Sequence, residues 1–302
     1  MTEPLPILLL TDGKPGHENQ SLGLIEAIER RTPVAIERLP VAARGLSGLF
    51  RLRPPERRPA LIVGAGHRTH LPMLRLSRTT DAPCVVLMKP SIPSAFFDVC
   101  IIPEHDLENR RLPENAIVSK GALNRVPPPG ESDKHGGLIL IGGPSAAHDW
   151  AEPSLIEAVK TIVGCRGERP WRATDSRRTP EKALDRLTEA CPALVAYPHR
   201  ETGAEWLPQR LGEAAEVWVT ADSISMIYES LSSGARVGLL PTPVRKRGRV
   251  VRGVLRLIDE RWVTRFEDWK PGGDLPAPPA VLREADRCAD LILARHFPGR
   301  LS

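Results

Sequence analysis

The sequence predicts an α/β protein built as two parallel-sheet domains, and three observations predict it. Short apolar runs alternate with helix-length amphipathic stretches from end to end, the pattern of parallel strands joined by crossover helices. The chain is 302 residues long, about twice the usual length of one domain. Hydrophobic residues make up 41% and charged residues 26%, an ordinary globular balance that argues against wholesale disorder.

In the first half, Ile7–Leu10 reads as a buried strand, followed by a polar glycine loop and a helix from about Glu18 to Arg31. Val34–Leu39 is the next strand, then a short basic helix, a strand at Leu61–Val63, and a helix from about Thr69 to Arg78. Further strands are expected at Val85–Leu87 and Val99–Ile102. Each run is short and apolar, as strands covered on both faces should be. The stretch Arg125–Gly137 is richest in proline, glycine and charge, so the domain boundary falls there. The second half repeats the plan, with strands at Leu138–Ile141, Trp171–Thr174, Ala193–Ala196, Val217–Val219 and Val237–Leu240, each followed by a helix. A proline-rich loop, Lys270–Pro279, precedes a last helix from about Val281 to Arg295. The expected division is 1–130, 131–278 and a C-terminal helical segment, 279–302.

Five scattered cysteines, Cys84, Cys100, Cys165, Cys191 and Cys288, never stand in C-x-x-C spacing and read as buried free thiols in a reducing compartment. Residues Met1–Leu5 lack the features of a signal peptide, and no run reaches the ~18 apolar residues of a membrane span. The expected location is therefore cytoplasmic. A net charge of +5 favours anionic partners such as nucleotides, phospholipid headgroups or nucleic acid without choosing among them; the partners expected from the whole reading include no nucleic acid.

In parallel α/β sheets ligands bind at the carboxyl ends of strands, which directs attention to the residues after each run. After the first strand come Asp12, Gly13, Lys14, Gly16 and His17, with Gln20 in the opening helix; the glycines let backbone approach a ligand and the helix N-terminus favours a negative group. An ordinary turn needs neither Lys14 nor His17. The segment Gly64–His70 offers Gly66, His67 and Arg68 to an anion, or serves as a helix cap with solvated histidines; its H-x-x-H spacing is weak evidence for a metal, and none is assigned. Lys89 suits a phosphate, and Glu104 or His105 could move a proton, with surface charge the plain alternative. Gly142, Gly143 and Ser145 suit a diphosphate or form a simple glycine turn. The strongest segment is Thr220–Gly234: Asp222 or Ser223 caps a helix whose first turn carries Ser225 and Met226, and Glu229 two turns in can accept both hydroxyls of a ribose.

Some classes lose most of their support. No D-x-D is present for a metal-dependent sugar transferase, no G-x-x-x-x-G-K-[ST] for a P-loop enzyme, and no G-x-G-x-x-G follows the first strand for a dinucleotide enzyme.

Asp12-Gly-Lys-Pro-Gly-His17-Glu-Asn-Gln20, Gly64-Ala-Gly-His67-Arg68, Met88-Lys89-Pro90-Ser91, Pro103-Glu104-His105-Asp106, Gly121-Ala-Leu-Asn124, Gly142-Gly-Pro-Ser145 and Thr220-Ala-Asp-Ser-Ile-Ser-Met226 together resemble the mitochondrial fission "elongated mitochondria" family. That family is similar to GT-B glycosyltransferases, especially the one that adds N-acetylglucosamine to the lipid-linked peptidoglycan precursor. There a glycine-rich loop ends in a histidine, as Gly13 to His17 does here, and a glutamate five residues before a glycine binds ribose, the spacing of Glu229 and Gly234. This sequence departs from the pattern in Asp12, Lys14 and Pro15. The resemblance implies two Rossmann-like domains facing a cleft, with the last helix crossing back to the first. The first domain would hold an acceptor and the second a nucleotide-diphosphate sugar. Catalysis would need no metal and no cofactor: His17, with Asp12 and Glu104 as further candidates, would deprotonate the acceptor, and Arg245, Lys246, Arg247 and Arg249 either neutralise the diphosphate or are solvated.

The stretch Arg44–Arg53 with Arg57 and Arg58 interleaves apolar and basic residues, like a helix lying on the inner face of the cytoplasmic membrane or one packed on a core. On the first view the acceptor is a lipid-linked or lipopolysaccharide-type saccharide of the cell envelope. The alternative is a non-catalytic adaptor that binds a protein partner, as plant relatives bring a dynamin-related GTPase to the mitochondrial surface. A nucleotide-sugar epimerase with bound NAD is a third reading, motivated by the α/β plan alone.

Overall fold

In a computed structural model of the chain, the described residues are 3–41, 53–107, 112–130, 134–165 and 169–300. They form two compact units, one of residues 1–125 with 283–302 and one of residues 126–282.

The first unit is a six-stranded parallel sheet of β1 (Leu5–Thr11), β2 (Val34–Pro40), β3 (Leu61–Ala65), β4 (Cys84–Leu87), β5 (Val99–Pro103) and β6 (Ala116–Ser119), in the order β2-β1-β3-β4-β5-β6. The central strands bury nearly every side chain, while the edge strand β2 leaves half of its residues open. An edge pairs on one side only, so Glu37 and Arg38 can reach water there. Helix α1 (Pro15–Glu29) packs Leu24, Ile25 and Ile28 on the sheet; its proline at the first turn starts the helix three residues before Glu18, because that position needs no N–H. Helix α2 (His70–Thr80) covers the other face with Met73 and Leu76. The sequence pattern missed β6, whose residues are mostly half-buried and lack an unbroken apolar run.

The second unit repeats the plan with β7 (Gly137–Leu140), β8 (Trp171–Thr174), β9 (Leu194–Ala196), β10 (Glu216–Thr220), β11 (Arg236–Leu240) and the two-residue β12 (Thr264–Arg265), all parallel, in the order β12-β11-β10-β7-β8-β9. Its helices are α3 (Glu152–Gly164), α4 (Ala183–Ala190), α5 (Trp206–Glu213), α6 (Ile224–Ser232) and α7 (Arg249–Asp259). Two buried tryptophans, Trp171 and Trp218, lie flat against the sheet, and a Cβ at Gly137 or Gly238 would overlap their rings.

The last helix, α8 (Glu284–His296), belongs to the first unit and packs on α1 through Cys288, Ala289, Ile292 and Leu293. Asp286 accepts hydrogen bonds from Arg30 and Arg31, and Arg31 donates a second pair to Asp290. Two residues of α1 thus fix the register of α8 with charge-assisted bonds. Asp290 beside Arg31 holds that guanidinium's pKa above the ordinary arginine value.

Four of the five cysteines are buried free thiols, but Cys165 is exposed, because it ends α3 at the surface and has no core to enter. Burial raises Cys84 to about 11 and Cys100 and Cys288 to about 12, so none of these three is a thiolate near neutrality. No described helix is long and apolar enough to cross a membrane. Residues 42–52 lie outside the described residues, and with them most of the basic stretch. Of its remainder, Arg53 pairs with Glu56 at 2.6 Å and Arg58 donates to the Thr80 carbonyl.

Candidate functional site

Each sheet has one place where the strand order reverses. In the first unit the chain adds β2 on one side of β1 and then returns to place β3 on the other, so the loops after β1 and β3 diverge and leave a crevice. In the second, β8 and β9 extend one side of β7 and β10 begins the other. Predicted site residues gather at both reversals.

At the first, the Asp12 carboxylate is fully buried and both its oxygens lie 3.1 Å from Nδ1 of His17, whose side chain is 18% exposed. Asp12 also accepts from the Lys14 N–H at 3.2 Å. A carboxylate can only accept, so Nδ1 carries a proton, and in the neutral ring Nε2 is the nitrogen left with a lone pair. Gly66, after β3, closes over the pair: a Cβ there would meet His17 Nδ1 and stand 2.8 Å from Asp12 Oδ2, and its φ of +89° suits glycine alone. Gly13, Lys14 and Gly16 are exposed around the pair, and Gln20 is half-buried on α1.

The other first-unit candidates stand farther along the sheet edge. His67 and Arg68 are exposed after β3 and Lys89 is exposed after β4, while Glu104 and His105 are half-buried in the 3₁₀ turn Glu104–Asp106 after β5. Three strand spacings separate β1 from β5, roughly 14 Å. Asp12, His17 and Gly66 therefore form one group, and Glu104 stands apart from it. The expectation of solvated histidines fails at His70, which is 3% exposed, packs edge-on against Phe97 and shares a 3.2 Å hydrogen bond with the Ser91 hydroxyl. Burial, helped by the charge of His67, lowers its pKa to about 4. No cluster of three or more His, Cys, Asp or Glu able to hold a metal occurs among the described residues.

At the second reversal, the glycine turn after β7 is already filled by the protein. Gly142 N–H donates to Thr220 Oγ1 at 2.7 Å, and Gly143 N–H donates to Asp222 Oδ2 at 3.0 Å. Arg178 joins them, 2.8 Å from the same Asp222 oxygen and donating to the Gly143 carbonyl. An Arg and a backbone N–H converging on one oxygen is an anion site, and the anion is the 1%-exposed side chain of Asp222. The capping expectation is corrected accordingly: Ser223 is the N-cap of α6 but makes no side-chain cap bond, and Asp222 is drawn to Gly143 and Arg178 instead. The first-turn N–H groups of α6 keep their partial positive charge uncapped. Ser225 is exposed on that turn, with Met226 and Glu229 half-buried behind it. Ser145 accepts the N–H groups of Ala147 and His148. His148 itself is 2% exposed with Nδ1 unpartnered, and burial lowers its pKa against the pull of Asp222.

Sequence reasoning missed Arg178 and His148. Arg178 follows β8 by four residues, the position the strand-end rule singles out; nothing local marked His148.

Two parallel α/β units, each with polar side chains at its reversal, define a protein of the GT-B-like class. A structure described as a UDP-N-acetylglucosamine 2-epimerase from Listeria monocytogenes superposes with a TM-score of 0.58 at 14% identity, covering 99% of each chain. MurG from Acinetobacter baumannii gives 0.48 at 11% identity over 99% of this chain and 93% of that one. The UDP-GlcNAc 2-epimerase from Methanocaldococcus jannaschii gives 0.49 at 10% identity over 97% and 100%. The fold assignment rests on the first of these. The model of the family described as Mitochondrial fission ELM1 matches residues 15–296, and the chain belongs to that family. A comparison with curated protein sequences finds no match.

Proposed function

We propose that the chain is a metal-independent glycosyltransferase that moves a sugar from a nucleotide-diphosphate donor to a lipid-linked or saccharide acceptor of the cell envelope, in peripheral contact with the membrane. The observation that carries this reading is the Asp12–His17 pair: a buried carboxylate holding the Nδ1 side of an imidazole, which leaves Nε2 as the nitrogen for a substrate. In the reaction, Nε2 of His17 takes the proton of the acceptor hydroxyl as its oxygen bonds to the anomeric carbon. The carbon–oxygen bond to the diphosphate breaks, and its electron pair leaves with the diphosphate. Asp12 offsets the charge of the resulting imidazolium. The second domain takes the donor, with the α6 N-terminus and Arg178 facing the departing charge and Glu229 accepting the ribose hydroxyls.

Thermal-shift titration with UDP, GDP, ADP and their sugars tests donor binding, because a ligand at 100 times its Kd adds about 2.7 kcal/mol of stability. His17→Ala should lower sugar transfer or donor hydrolysis about 10²- to 10⁴-fold while leaving nucleotide binding intact. No shift with any nucleotide would refute the reading.

One observation favours the adaptor alternative. The N–H groups of Gly142 and Gly143, which would have met a diphosphate, are held by Thr220 and Asp222. On that reading His17→Ala and Glu229→Ala leave the biological role untouched, whereas changes on a partner-binding face remove it.

A further inference from the structure

The second unit holds a pocket of about 250 Å³ beside its reversal, and what it suggests rests on the membrane contact of the proposed function. It opens between β11, the loop after it and α7, and its walls are mostly apolar, Leu239, Leu240, Val251, Val254 and Ile258, with His148 and Thr242 as polar members. Whole-ligand pockets usually measure about 300–1,000 Å³, so this one suits a chain or fragment. Its mouth is formed by Val244 and Leu255, which are 52% and 44% exposed although both are large and apolar. Burying such side chains is favourable by about 25 cal/mol per Å², so two of them flanking an apolar hole mark a surface that gains from being covered.

The chemistry around the mouth says what covers it. Directly after Val244 come Arg245, Lys246 and Arg247, all exposed and without an acidic partner among the described residues. Their backbone is pinned: the N–H groups of Arg245 and Lys246 donate to the Ala147 carbonyl at 2.9 and 3.2 Å, Asp149 N–H donates to the Pro243 carbonyl at 2.9 Å, and Val244 bridges His148. The backbone that carries Arg245 and Lys246 is thereby held beside the opening, with Arg247 next in the chain. Glu267 and Arg265 also line the pocket, with Arg265 tied to Asp268 at 2.7 Å, so the added acid leaves the rim basic.

We propose that the β11–α7 pocket takes one acyl chain of an anionic phospholipid, with Arg245, Lys246 and Arg247 on its headgroup phosphate, and so seats the second unit on a membrane. Val244 and Leu255 enter the headgroup–acyl boundary, and the cations meet the negative surface.

The test is co-sedimentation of the full chain with phosphatidylcholine vesicles and with vesicles of phosphatidylcholine and phosphatidylglycerol. The wild type should partition onto the anionic vesicles and only weakly onto neutral ones. Each surface cation contributes about fivefold, so the triple variant R245E/K246E/R247E, which removes three positive charges and adds three negative ones, should lose at least about a hundredfold. The double variant V244S/L255S, which keeps every charge, should lose about tenfold. These side chains are exposed, so folding is preserved, and an unchanged melting temperature checks it. Failure of the wild type to bind anionic vesicles overturns the proposal, and so does full binding by the triple variant, which would move the contact to another basic segment. Full binding by V244S/L255S removes the acyl chain from the pocket. Loss of nucleotide binding by the triple variant with vesicle binding intact assigns the cations to a diphosphate and overturns the proposal as well.

Discussion

The end of β1 and the end of β10 use the same device for different work. Each presents a buried aspartate where its sheet reverses, facing a glycine from the neighbouring strand's loop: Gly66 over Asp12, and Gly142 and Gly143 against Asp222. Asp12 holds an imidazole, which can still accept a proton at Nε2. Asp222 holds a guanidinium and a backbone N–H, neither of which can accept anything. The first reversal therefore pairs its carboxylate with a ring that can exchange a proton, and the second pairs its carboxylate with two donors. Topology makes the crevice in both; the residue opposite the aspartate decides its chemistry.

The sharpest way to break this comparison is to remove each carboxylate. Asp222→Ala strands Arg178 and the buried Gly143 N–H and should cost about 3 kcal/mol, a fall of roughly 5–10 °C in Tm; the value is below that of a fully buried pair because 41% of the Arg178 side chain is open to water. Thermal unfolding reads this directly, and a loss under 1 kcal/mol would show that Asp222 is not the anion of that site. Gly66→Ala should cost about 2 kcal/mol, from the left-handed φ of +89° and the methyl driven against His17 and Asp12. A crystal structure of that variant should show the imidazole displaced.

Each reversal also has a buried histidine of lowered pKa close by, His70 in the first unit and His148 in the second. For His70 the folded pKa of about 4 lies below the unfolded value near 6.5. The unfolded chain therefore binds the proton first, and stability falls as pH drops from 6.5 towards 4, by about 2 kcal/mol between pH 7 and pH 5. His70→Gln, which can keep the bond to Ser91, should flatten that acid limb in melts recorded across the range. The smallest effect is expected from Asp12→Asn, about 1 kcal/mol in stability, since the amide oxygen can still accept from His17 Nδ1.

Much of this architecture was legible in the chain because strands covered on both faces must be apolar throughout, and Ile7–Leu10, Val85–Leu87 and Val99–Ile102 stand out for that reason. Strands β6 and β12 were not legible, since an edge position and a two-residue length remove the requirement. At the first reversal Asp12, Gly13 and His17 were readable because they stand within six residues at the end of β1 and the start of α1, and Gly66 stood out in its own strand-end turn. The second was readable only in part. That Gly142 and Gly143 would find partners in Thr220 and Asp222, nearly eighty residues later, depends on β10 pairing with β7, which no local pattern announces.

Calorimetric titration of UDP into the wild type, Asp12→Asn and Asp222→Asn tests the division of labour most directly. The account predicts measurable binding by the wild type, a Kd within about twofold for Asp12→Asn, and a change of at least about tenfold for Asp222→Asn, about 1.4 kcal/mol. Equal effects of the two substitutions, or no heat with the wild type, would contradict it.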